Sequence, residues 1–102
     1  MSTSDIQPSL FEDDLQSKFE KFHRENPHVY ATLVRLARDA KRRGFRRIGI
    51  GMLYEVARWE IALATNDADF KLNNNWRSRF ARLIEKQEPD LAGMFEMREL
   101  RA

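Results

Sequence analysis

Asn73-Asn74-Asn75-Trp76-Arg77-Ser78-Arg79-Phe80-Ala81-Arg82-Leu83-Ile84-Glu85-Lys86 has the spacing of a helix with two unlike faces. Trp76, Phe80, Leu83 and Ile84 fall at i, i+4, i+7 and i+8 and form one apolar stripe. Asn75, Ser78, Arg79, Arg82 and Lys86 fall almost in line on the other side. Long cationic donors beside short amide and hydroxyl groups are the side-chain types that reach phosphates and base edges when a helix lies in a DNA groove. An ordinary solvated helix face has a similar composition, so the surrounding chain must decide between the two.

Charge is unevenly spread around that stretch. The net charge is only +2 over 102 residues. From Met1 to Glu25 six acidic residues face three basic ones. From Arg35 to Arg47 seven basic residues (Arg35, Arg38, Lys41, Arg42, Arg43, Arg46, Arg47) face Asp39 alone. Such clustering creates a local positive field that a near-neutral total conceals. Of these cations, Arg42, Arg43, Arg46 and Arg47 are the candidates for phosphate contact.

The length corresponds to one domain, large enough to bury a core without a metal or disulfide staple. Residues 1–8 read as a disordered tail and residues 9–102 as the domain. Ser9 and Glu12 make a capping box that opens a first helix carrying Phe11, Leu15, Phe19 and Phe22. Asn26-Pro27 ends it and opens a second, with Asn26 as N-cap and Pro27 at the first helical position. Val29, Leu33, Leu36, Ala37 and Ala40 make its buried stripe, and Gly44 stops it. Alternation over Phe45–Gly51 predicts a short strand. Gly51 can then open a third helix, with Met52, Leu53, Val56, Ala57 and Leu63 inward and Trp59 at an edge. A loop rich in turn formers, Thr65 to Leu72, leads to the helix over 73–88, which ends near Glu88-Pro89. Met94–Leu100 suits either a strand or a last helical turn.

With the first helix set aside, this is the element order of a winged helix-turn-helix. The expected fold is mainly α, a winged-helix-like domain with a short two-stranded sheet made from Arg47–Ile50 and part of Met94–Leu100. Helix 73–88 would be the recognition helix. Two features fit poorly. The loop before that helix is about twice the usual three or four residues, and only one strand candidate remains for a wing.

Four blocks, Asn26-Pro27-His28-Val29-Tyr30, Arg47-Ile48-Gly49, Asp69-Phe70-Lys71-Leu72-Asn73-Asn74-Asn75 and Glu88-Pro89-Asp90-Leu91-Ala92-Gly93, resemble a family of small uncharacterised phage and prophage proteins. The resemblance runs from about Phe19 to the C-terminus. It implies a phage or prophage origin and transfers no activity.

Signals for catalysis and cofactors are weak. The chain has no cysteine, which removes disulfides, thiolate metal sites and cysteine nucleophiles. His23 and His28 lack the i, i+4 spacing of helical metal ligands and read as surface or capping residues. Asp67 and Asp69 begin like a calcium loop but lack its glycine and distal glutamate. Gly49 and Gly51 lack the third glycine of a phosphate-binding loop. No enzyme activity, cofactor or metal is therefore expected, and a small nuclease would need a carboxylate cluster that is not evident. No apolar run is long enough to span a bilayer, and Met1-Ser2-Thr3-Ser4-Asp5 does not look like a signal peptide. The expectation is a cytoplasmic protein of a bacterial host that binds double-stranded DNA. The alternative is a small interaction module that binds and modulates a host or phage enzyme.

Overall fold

The computed structural model describes residues 7–96. The order is α1 (Gln7–Glu25), α2 (Pro27–Arg42), β1 (Ile48–Gly49), α3 (Ile50–Thr65), α4 (Arg77–Gln87) and β2 (Phe95–Glu96). Single 3-10 turns, Asn74–Trp76 and Pro89–Leu91, sit on either side of α4. Helix α1 begins at Gln7, so the expected start at the Ser9–Glu12 capping box lies two residues too late. Pro8 is accommodated there because the first-turn amides have no helical acceptor in any case. The expected tail falls on residues 1–6, outside the described residues, apart from Gln7 and Pro8.

The α1–α2 junction differs from expectation in one bond. Asn26 makes no side-chain cap on α2. Its side-chain amide instead donates to the Phe22 carbonyl (3.0 Å), closing the C-terminal end of α1. Pro27 does open α2. At the other end Gly44 takes a φ of +98°, which suits a residue without a Cβ. The Gly44 amide donates to the Lys41 carbonyl and the Phe45 amide to the Ala40 carbonyl, both at 3.0 Å, which occupies two of the carbonyls at the end of α2.

β1 and β2 pair in parallel, two residues on each side, with Ile48 opposite Phe95 and Gly49 opposite Glu96. The pairing is shorter than expected, because Ile50 is already helical and Gly49, not Gly51, precedes the helix. Residues 97–100 of the second expected strand lie outside the described residues. A parallel pair cannot be joined by a hairpin, and here α3 and α4 form the crossover. Among the described residues no hairpin follows α4.

The core lies between α2, α3 and α4, with α1 laid across one end. Val29, Leu33, Tyr54, Phe80, Ile84 and Leu91 are its largest fully buried side chains. Phe19 of α1 joins it edge-on to Phe80 (ring centroids 4.9 Å apart) and tilted against Trp76 (5.7 Å). Trp76, Phe80, Leu33 and Leu53 share this core as expected, and Leu36 and Leu83 pack against it.

Val56 does not share it. Helix α3 buries Leu53, Tyr54, Ala57 and Ile61 and turns Met52, Val56, Trp59 and Leu63 outward. Of the five residues expected inward, only Leu53 and Ala57 are buried, while Met52, Val56 and Leu63 are exposed. The helix is apolar nearly all round, so periodicity could not choose a face. Tyr54 chooses it. Its hydroxyl donates to the Asn73 carbonyl at 2.7 Å, tying the middle of α3 to the entry of α4. Burial pushes the Tyr54 phenol up to about 12, with the charges of Arg58 and Arg77 pulling the other way, so it stays a neutral donor at ordinary pH.

Candidate nucleic-acid interface

The connector from Asn66 to Trp76 places α4. Asn66 ends α3 in the left-handed region (φ +55°), a conformation asparagine tolerates better than most residues. The Asp67 carboxylate accepts from the Asp69 amide (3.0 Å), which folds the loop through an Asx turn. Leu72 is buried and anchors the loop to the core. The Asn73 side chain then accepts from the Asn75 amide (2.8 Å). Asn73 is thus the cap of this entry, which leaves the Asn75 side chain exposed.

With Phe80, Ala81 and Ile84 buried, α4 presents Ser78, Arg82 and Lys86 to solvent at i, i+4 and i+8. None of these three side chains has a hydrogen bond or ion pair within the described residues. Asn75 extends the row at its N-terminal end. Arg79 sits at its margin, half-buried, where its guanidinium donates to the Gln16 side-chain carbonyl on α1. Gln16 in turn donates to Glu20 (3.0 Å). A shallow groove of about 180 Å³ runs here between α1 and α4, lined by Gln16, Phe19, Arg79, Arg82, Leu83 and Lys86. Of the five residues singled out from sequence, Ser78, Arg79, Arg82 and Lys86 thus lie on α4 and Asn75 in the turn before it, with Arg79 engaged with a neighbouring helix.

The basic segment is more altered by folding. Arg35 pairs with Glu60 of α3. Arg38 forks onto Glu88 (2.7 Å) and Asp90 (2.9 and 3.0 Å), and Lys41 donates to the Asp90 carbonyl. Tyr30 donates to the same Glu88 (2.9 Å). The hydrogen bonds from Arg38 hold the Asp90 carboxyl below the usual carboxylate range. Acidic residues about fifty positions away therefore occupy the middle of the cationic segment and clamp α2 to the corner after α4. Arg42 and Arg43 both reach Asp39 at 3.1 Å. The Arg43 hydrogen bond is the main cause of the lowered Asp39 carboxyl. Arg46 and Arg47 are exposed and have no carboxylate partner within the described residues.

Arg77 was missed in the sequence. It is exposed at the first position of α4. Its Nη1 lies 3.4 Å from where a Cβ on Gly51 would stand, so it reaches back over the start of α3. The only signal in the sequence was its place at the helix start. That Gly51 leaves room for it depends on how α3 and α4 pack.

His23 is not a simple surface group. Its ring is half-buried among Phe19, Tyr30 and Phe80, with centroids 6.2, 5.1 and 6.0 Å away. Among the described residues no group of three or more His, Asp or Glu side chains could hold a metal ion. No helix there is long and apolar enough to cross a membrane. No protein-family model, curated protein or solved structure matches this chain, so its own residues carry the functional argument.

Proposed function

We propose that this chain is a DNA-binding protein that sets the outer face of α4 against a groove of duplex DNA and performs no catalytic step. The carrying observation is the row Ser78, Arg82 and Lys86, exposed, in line and unengaged among the described residues. Arg82 has the chemistry to read guanine edges, Lys86 and Arg77 to meet phosphates, and Asn75 to read adenine. Arg46 and Arg47 add exposed cations with no carboxylate partner among the described residues. Arg42 and Arg43 remain exposed, and surface pairs such as theirs with Asp39 are weak enough for a phosphate to displace. The order α2, β1, α3, α4, β2 supports a winged-helix ancestry with the wing reduced to one strand. The eleven residues between α3 and α4 and the parallel pairing weigh against it. Phage or prophage origin, and with it the cytoplasm of a bacterial host, rests on the four sequence blocks alone.

Fluorescence anisotropy with a pool of labelled duplexes at two salt concentrations tests the proposal. The expected result is binding that weakens steeply with salt. Absence of binding at low salt overturns it. The second reading, an interaction module for a host or phage enzyme, changes character. The acidic first helix with its row of phenylalanines is the docking surface the sequence suggests, but Phe19 is buried and Phe22 packs against the core, so these two are not free for a partner. What favours a protein partner is the outer face of α3.

A further inference from the structure

The outer face of α3 is the least expected surface of the molecule. Met52 (59 % exposed), Val56 (41 %), Trp59 (65 %) and Leu63 (58 %) stand in one row, and Phe45 is half exposed just before the helix. Beside Trp59 and Leu63 opens a groove of about 470 Å³ whose far wall includes Ala68 and Phe70. Single exposed apolar side chains are ordinary, but a contiguous row of a few hundred Å² marks a contact surface.

We infer that a second copy of this chain covers the row, with the two α3 helices antiparallel across a two-fold axis. Three observations select that occupant. The spacing of the row, four, three and four residues, reads the same from either end. A two-fold axis between Val56 and Trp59 therefore sets Met52 against the partner's Leu63 and Val56 against the partner's Trp59. The smallest side chain of the row meets the largest, as close packing across a self-matching interface requires. The second observation is charge. Exposed Arg46 and Arg47 precede α3, and exposed Asp67 and Asp69 follow it. Antiparallel copies bring the cationic end of one helix to the anionic end of the other, whereas parallel copies would set like against like. The third is that the charges beside the row are already neutralised. Glu55 pairs with Arg58 (3.1 Å) and Glu60 with Arg35, so covering the row buries no unpaired carboxylate.

The row is short, about 17 Å at 1.5 Å per residue, so the interface belongs to the small, reversible class. Arg46 and Arg47 sit at its rim, where charges stay accessible to solvent and within reach of phosphate. The inference does not rest on DNA binding, and its test uses no DNA.

Sedimentation equilibrium of the full chain from about 1 μM to about 1 mM should show monomer passing to dimer. Trp59→Glu should hold the protein monomeric throughout, with an unchanged melting temperature at low concentration. Arg47→Asp alone should weaken the dimer several-fold, and adding Asp69→Arg should restore it. The chain has no cysteine, so Met52→Cys protein mixed with Leu63→Cys protein reports the register through oxidation. Antiparallel copies link one variant to the other, and Met52→Cys does not link to itself. A wild-type monomer at every concentration overturns the inference, as does a Trp59→Glu dimer, failure of Asp69→Arg to rescue, or Met52→Cys linked to itself.

Discussion

Helices α3 and α4 are neighbours that share a core, yet they turn opposite chemistry to solvent. Helix α4 shows Ser78, Arg82 and Lys86, while α3 shows Met52, Val56, Trp59 and Leu63. Both bury one face against the same residues, since Tyr54 and Phe80 are fully buried with ring centroids 6.4 Å apart. Stability therefore asks the same of each inner face and leaves each outer face free to differ. A charged outer row is compatible with water and with phosphate. An apolar outer row gains free energy only when something removes it from water. The two helices thus offer two separate surfaces, one for a polar ligand and one for an apolar contact.

The largest effect that could break this comparison lies on the shared inner side. Phe80→Ala should cost about 3–5 kcal/mol, because the ring is fully buried among Phe19, Phe22 and Tyr54. Trp59→Ala, a larger truncation on the outer row, should stay within about 0.5 kcal/mol at monomer concentrations. Chemical denaturation of both variants checks the pair. Equal losses would mean that the α3 faces are reversed.

Next in size is the contrast within α4. If Arg82 reads bases, Arg82→Ala should cost about 1–3 kcal/mol on a preferred duplex and little on random sequence. Lys86→Ala should weaken all duplexes alike and reduce the salt slope by about one unit. Anisotropy titrations of both variants separate the roles. Identical behaviour would reduce the whole face to phosphate contact.

A smaller effect separates the neighbouring asparagines. Asn73→Ala removes the cap on the Asn75 amide and should lower stability by about 1 kcal/mol. Asn75→Ala removes an exposed side chain and should leave the melting temperature nearly unchanged while weakening duplex binding. The reverse pattern would move the cap.

The smallest concerns acid. The Asp39 and Asp90 carboxyls are lowered by their arginine partners, so their contribution is present above the ordinary carboxylate range, near ~3.9. It fades as pH falls through their lower folded values. Melting curves between pH 7 and pH 3 should hold level until the acid end, and Arg38→Ala should blunt the decline there. A decline beginning near neutrality would point to a group other than these two carboxyls.

Local physics made several features legible in the sequence. Pro27 opens α2 because its missing amide costs nothing there, and Gly44 closes it because its φ is positive. The two faces of α4 could be read because its apolar and polar residues are cleanly divided. Tertiary structure decided the rest. The orientation of α3 depends on a hydrogen bond from Tyr54 to a carbonyl nineteen residues on, which no window along an all-round apolar helix contains. The seven cations from Arg35 to Arg47 look like one patch in the sequence. Folding brings Glu60, Glu88 and Asp90 to three of them and, among the described residues, leaves Arg46 and Arg47 without a carboxylate partner. Charge counted along the chain measures composition, whereas the field at the surface depends on which distant carboxylates the fold brings alongside.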